Sequence, residues 1–433
     1  MSLNDFPLLA LLFLLVPVLV GAYLKKRVFV RSFRLTAVLG GWLWLVYAIF
    51  GEEVTEFLLD IPPSDSPIHG RLAMDLVRLM DRNQWQALWS DFGPGNYVYQ
   101  IYLALTHYFL GATEPTWVAT NGMVAFWGGL MLISHLGTMF PAGRRRNLAL
   151  LFILFCPSVI FWSSTNLKEG LMYWSICCIF SSTFHAKGGS VAVSTPLLIA
   201  GSLVGGLLRP HVVTGWVTAV FTVNFLQRRR LVHALVLMFA IPLILMSAQK
   251  LTGAALDVDS ATEMAQSHYK IMKEIKGGSS FDEGAERPTP FVSGFVSIFF
   301  RPFPWEIRSA RLLFAIIETW TITLLMIGVW LKMSRNERAE VFRFPEIQTA
   351  AIALAWGAFL LSYFPNTGLV MRQRVQMVPA LLVLTLMPIL YRGWIKEKTK
   401  GTQRSPRPSF TGAPIWVKGT DVPFPTKKQS PGI

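Results

Sequence analysis

Seven basic side chains stand where a chain of this kind should avoid them: Lys168, Arg209, Arg301, Arg308, Arg311, Arg372 and Arg374. Each borders a long apolar run on the side away from the main Lys/Arg clusters, and His211 sits beside Arg209. An ionisable group at membrane depth costs about 2.5 to 3.5 kcal/mol at a helix centre and less near the surface, so a group of cations calls for a compensating anion. At a membrane surface that anion is a lipid phosphate or pyrophosphate, which the planar fork of arginine binds through two oxygens at once. The plainer account has these side chains snorkelling to ordinary headgroups, or pairing internally with Glu169, Glu306 and Glu318. Acidic groups complement them, since residues 51–115 carry Glu52, Glu53, Glu56, Asp60, Asp65, Asp75, Asp81 and Asp91. A carboxylate beside the bilayer can take the proton of a sugar hydroxyl as it attacks an anomeric carbon. Most of the eight must simply be solvated. Asp65 and His69 lie in the Pro-stiffened string Pro62-Pro63-Ser64-Asp65-Ser66-Pro67-Ile68-His69, and Glu52-Glu53 directly follows an apolar run, so these four are the candidate catalytic residues.

The elements that must position these groups are apolar helices. Of 433 residues, 52% are hydrophobic and 15% charged, where a soluble domain carries about 25% charged. That excludes a disordered chain and argues against a soluble enzyme. Apolar runs of the length that crosses about 30 Å of hydrocarbon recur from Phe6 to Tyr391. The expected fold is all-α, a polytopic membrane protein with about 11 transmembrane helices, near 6–24, 34–50, 116–140, 147–163, 169–186, 191–209, 211–227, 231–248, 311–332, 346–364 and 375–391. This topology puts Lys25 to Arg34, Arg144 to Arg146, Arg228 to Arg230 and Lys332 to Arg343 on one side, together with the C-terminus. That side reads as cytoplasmic and the N-terminus as outside, because the run from Phe6 has no basic segment before it and Lys25-Lys26-Arg27 after it.

Two outer loops are expected, about 51–115 and 249–310. In the first, Leu72, Leu76, Val77 and Met80 share one side of a helix whose other side carries Arg71, Asp75, Arg78 and Arg82. That pattern suits a helix lying in the interface, as does the run Tyr97 to Leu110, which would invert the Arg144 cluster if it crossed. Residues 1–391 then form the transmembrane domain, and 392–433, with six prolines and nine Lys/Arg, a disordered cytoplasmic tail. The net charge of +15 belongs to cytoplasmic loops and this tail, so no nucleic-acid partner is implied. The three cysteines, Cys156, Cys177 and Cys178, all lie in apolar runs and form neither a disulfide framework nor a CxxC metal site.

Four strings hold five of the seven outer cations: Pro157-Ser158-Val159-Ile160-Phe161-Trp162-Ser163-Ser164-Thr165-Asn166-Leu167-Lys168-Glu169-Gly170; Leu208-Arg209-Pro210-His211; Arg301-Pro302-Phe303-Pro304-Trp305-Glu306; and Met371-Arg372-Gln373-Arg374-Val375-Gln376-Met377-Val378-Pro379. With Asp65 in a first outer loop and two flat helices after it, the chain resembles bacterial membrane glycosyltransferases of the GT-C superfamily. Its outward Arg and His residues also resemble those of O-antigen polymerases and ligases. The resemblance spans most of residues 40–391 as a loose pattern. It departs by an added first span, by the lack of an acidic pair around Asp65, and by His69 where an aromatic is usual. It implies an enzyme of the inner membrane that takes sugar from a polyprenyl-(pyro)phosphate donor and passes it to a glycan or lipid acceptor. It further implies Asp65, or Glu52 or Glu53, as base, with Lys168, Arg209, His211, Arg301, Arg372 and Arg374 on the phosphate. No cofactor is assigned and no metal ligands are named, because carboxylates alone do not define a site; a divalent metal stays open. Two other classes stand beside it, a transporter or flippase of lipid-linked sugar, which needs the same cationic site, and a non-enzymatic envelope protein, which leaves the outer cations unexplained.

Overall fold

Within hydrocarbon every backbone N–H and C=O must be satisfied by its own segment, so apolar runs of this length fold as helices. The computed structural model describes residues 5–26, 28–59, 66–90, 95–185, 191–228, 290–306, 310–361 and 367–401, and they are helical with no strand among them. In chain order the helices are α1 (Asp5–Tyr23), α2 (Arg31–Leu59), α3 (Ser66–Asp81), α4 (Trp85–Ser90), α5 (Asn96–Leu110), α6 (Glu114–Met139), α7 (Arg144–Leu154), α8 (Pro157–Ser163) and α9 (Glu169–His185). They continue as α10 (Val191–Leu208), α11 (Pro210–Arg228), α12 (Pro290–Phe299), α13 (Ala310–Lys332), α14 (Arg335–Phe342), α15 (Pro345–Leu361), α16 (Thr367–Arg374) and α17 (Val378–Gly401). Two units are distinguished, Met1–Trp394 and Ile395–Ile433; of the second only the stretch to Gly401 is described, and the rest of the expected tail lies outside the described residues.

Among the described residues, six helical stretches can cross a membrane by length and composition, with α7 and α8 taken together as one, or seven if the pair α14 and α15, bent by 82°, also counts as one. Of the other expected spans, 169–186, 191–209 and 211–227 are helices below that standard, and 231–248 lies outside the described residues. Large apolar side chains face outward along α1 and α2, among them Phe6, Leu14, Leu43 and Phe50, and along α13 at Ile317, Leu324 and Leu331. Exposed apolar faces of this extent are what lipid-facing helices require.

At the centre, α9 packs against α6 and α10, and α6 takes α1 and α2 on its other side. Asp5 ties the start of α1 to that of α6, accepting from Thr113 N (3.1 Å), Thr113 Oγ1 (2.6 Å) and Thr116 Oγ1 (2.7 Å). The expected span at 147–163 is broken between Leu154 and Pro157, where proline removes a donor and clashes with the preceding turn. Glu318 of α13 repairs the break, accepting from Ser158 N (2.5 Å) and Ser158 Oγ (2.6 Å).

The segment read as an outer loop differs in two ways. Helix α2 runs through Glu52 and Glu53 to Leu59 instead of ending near residue 50, because Glu, Phe and Leu all propagate a helix. Its 29 residues span about 44 Å. Helix α3 does bury a stripe against α5, but the stripe is Ala73, Leu76, Val77 and Met80, while Leu72 stays exposed. The polar face is as expected, with Arg78 and Asp75 paired at 2.7 Å in solvent.

Candidate functional site: a buried cation cluster

The turn from Ser164 to Lys168 and the start of α9 are buried against α6. Close approach is possible because Gly170 has no Cβ, which would lie 2.6 Å from the carbonyl oxygen of Asn121. The side chain of Asn121 then holds the turn, its Nδ2 donating to Leu167 O at 3.1 Å and to Thr165 O at 3.3 Å. The same amide donates to the Tyr99 hydroxyl at 2.7 Å, and Tyr99 donates to Asn166 Oδ1 at 2.8 Å. Helix α5 is thereby pinned to the turn that presents Lys168 and Glu169.

Glu169, the first residue of α9, is fully buried. One of its oxygens, Oε1, accepts from Arg209 Nη2 and from Arg372 Nε, each at 2.5 Å. Arg209 occupies the break between α10 and α11 that Pro210 imposes, and its Nη1 donates to Gln373 Oε1 at 2.7 Å. Gln376 Nε2 donates to that same Gln373 oxygen at 3.0 Å. Lys168, 7% exposed, reaches Leu208 O at 3.4 Å, and Glu169 Oε2 has no hydrogen-bond partner among the described residues. Among the described residues two arginines thus meet on one carboxylate with Lys168 next to it, three cations to one anion. Burial, reinforced by the positive charge of Arg209, pulls Lys168 from the ordinary lysine value to about 7.

Of the other expected phosphate ligands, Arg374 and Arg301 are placed with partners of their own, while His211 lies close enough to Arg209 and Lys168 to feel their positive charge. Arg374 is buried and donates through Nη1 to Thr319 Oγ1 on α13. Arg301 pairs with Glu306 at 3.6 Å and lies over the Phe303 ring at 5.7 Å. His211 is half-buried in the first turn of α11, and its carbonyl accepts from Trp356 Nε1 at 2.9 Å. The internal pairing weighed against phosphate binding is therefore present for Arg209, Arg372 and Arg301.

Among the candidate bases, His69 is buried on α3, its Nδ1 3.4 Å from Gln100 Nε2 and its ring edge-on to Tyr99 with centroids 5.6 Å apart. Glu52 and Glu53 lie in the last turns of α2, and Asp65 falls outside the described residues, as does Arg308. Arg311 lies in the first turn of α13. The described residues include no group of three His, Cys, Asp or Glu able to hold a metal ion.

Sequence reasoning did not select Glu169, Tyr99, Asn121 and Gln373 as site residues. The signal available for Asn121 was an amide followed by Gly122 inside an otherwise apolar run, and Glu169 and Gln373 stood in the strings that carry Lys168 and Arg372. What this cluster can do chemically is bind an anion bearing more than one negative charge. Comparison of the chain with protein families, characterised proteins and solved structures finds no match.

Proposed function

We propose that the protein is a membrane glycosyltransferase or polysaccharide polymerase that takes sugar from a polyprenyl-(pyro)phosphate donor on the outer face of a bacterial inner membrane. The observation that carries this reading is the meeting of Arg209 and Arg372 on one oxygen of Glu169 with Lys168 beside them, three cations to one carboxylate among the described residues. Charges are costly to bury, and a set left net positive is balanced when an anion joins it. In this reading the chain crosses the membrane eleven times, with its N-terminus outside, its C-terminus in the cytoplasm, and α3 to α5 lying on the outer surface.

An acceptor hydroxyl attacks the anomeric carbon, and its proton passes to the base supplied by the first outer segment, Asp65 or, in its place, Glu52 or Glu53. As the new glycosidic bond forms, the bond between the anomeric carbon and the phosphate oxygen breaks and its electron pair leaves with the (pyro)phosphate. Arg209, Arg372 and Lys168 stabilise that departing charge, which is usually the largest single contribution to such a reaction. His69, through Tyr99 and Asn166, links the surface helices to the turn that carries Lys168.

The test is to reconstitute the purified protein with a polyprenyl-diphosphate-linked oligosaccharide and to follow the glycans. Longer glycans or glycan transferred to a new acceptor are expected. Movement of the donor across the bilayer without any new glycosidic bond would replace the enzyme with a transporter.

A further inference from the structure

Arg209 and Arg372 both bond the same oxygen of Glu169, each at 2.5 Å, while the second oxygen has no hydrogen-bond partner among the described residues. A carboxylate needed only to neutralise one buried arginine would be matched one to one, yet here two forks meet on a single atom with Lys168 as the neighbouring residue. The shared oxygen sits where an oxygen of a doubly held phosphate would sit. Glu169 is also the first residue of α9, where the positive end of the helix dipole favours a carboxylate even without arginine. Its charge therefore keeps a favourable position when the arginines turn to another anion.

We infer that Glu169 is an exchangeable internal counter-ion, and that a phosphate group of the donor takes its place on Arg209 and Arg372. The inference rests on the proposed reading of this cluster as a lipid-phosphate site. Glu169 then acts as a positioning residue: it holds both forks aimed at one point, and it competes with every anion that enters. It follows that removing its charge strengthens anion binding, whereas a purely architectural carboxylate would weaken binding when lost, because the forks would drift.

The experiment uses the full chain in lipid nanodiscs with inorganic pyrophosphate as probe, measured calorimetrically at fixed ionic strength for wild type, Glu169→Gln, Glu169→Asp and Arg209→Met. Two unit charges a few ångström apart in a protein interior repel strongly enough that Glu169→Gln should bind pyrophosphate about tenfold tighter or more. Glu169→Asp, whose shorter side chain withdraws the carboxylate, should move the same way by a smaller factor, and it decides the matter if the Gln variant fails to fold. Equal or weaker binding in the folded variant overturns the exchange while leaving the anion site standing, provided wild type binds and Arg209→Met does not. If neither wild type nor Glu169→Gln binds at millimolar pyrophosphate, the site reading falls and the exchange with it.

Discussion

Two buried arginines at opposite ends of α6 are satisfied in opposite ways. Arg146, at the start of α7, donates through Nη1 to Gly137 O and Phe140 O at 3.0 Å each and through Nη2 to Val28 O, and it lies 5.0 Å over the Phe29 ring. Its partners are backbone carbonyls left over at a helix end and in a turn, the side-chain oxygen of Asn147 and one aromatic face. Arg209 instead shares a carboxylate with Arg372, beside Lys168. Gly137, in the last turn of α6, and Asn121, about two turns in from its start, are about 24 Å apart along it. Arg146 spends its donors on neighbours within a few turns of chain and on one carbonyl across the fold, whereas Arg209 shares an ionic partner with a second arginine from a distant helix.

The comparison breaks most readily at the architectural end. Arg146→Met deprives three carbonyls of their donor, each worth about 1 to 3 kcal/mol when left unsatisfied, so a loss on the order of 4 kcal/mol is expected. Thermal unfolding and membrane abundance should both show it, while transfer per folded molecule stays at the wild-type level. At the other end, Arg209→Met should slow transfer by about 100-fold to 1,000-fold. Its thermal midpoint should hold, because Glu169 keeps Arg372 and one surplus cation is gone. Arg209→Lys should lose most of the activity as well, since the planar fork is what grips phosphate.

How much of this was legible depends on whether the signal is local. The bounds of α1, α6 and α13 follow from apolar runs, and Asp5–Tyr23 against an expected 6–24 is typical. The continuation of α2 past Phe50 was missed because polarity was read as the end of a helix, when it marks only the end of the apolar stretch. The polar helix α14 was missed too, although Ser334 and Glu337 form a capping box, its sequence signature. Lys168, Arg209 and Arg372 stood out singly as cations on the wrong side of apolar runs. Pairing with Glu169 stood among the alternatives, but that Arg209 and Arg372 share one of its oxygens was not legible, because it depends on how the helix ends pack, and nothing in the spacing of residues 169, 209 and 372 encodes that.

A smaller effect bears on the link between helices α3 to α5 and the cluster. Tyr99→Phe removes the hydroxyl that accepts from Asn121 and donates to Asn166. A cost of about 1 to 3 kcal/mol in thermal unfolding is expected, with hydrogen exchange rising first in α5. Unchanged exchange in α5 would show that its apolar contacts alone dock it.

The smallest expected effect is a pH dependence. A lysine lowered to about 7 is charged below that pH and neutral above it, so pyrophosphate affinity should fall several-fold as pH rises through about 7 to about 8.5. Lys168→Arg keeps its charge across that range and should flatten the profile. A wild-type profile already flat would place Lys168 outside the anion's reach.

If the Lys168–Arg209–Arg372 end receives the donor's phosphate, a photoreactive donor must cross-link there. A polyprenyl diphosphate carrying a photoreactive group next to the diphosphate is irradiated with the reconstituted protein, and the labelled peptides are mapped by mass spectrometry. Label within residues 161–169, 208–211 and 371–373, lost in competition with inorganic pyrophosphate and lost again in Arg209→Met, is the predicted result. Label concentrated around Arg144 to Arg146, or label at the cluster that pyrophosphate does not displace, would contradict the account.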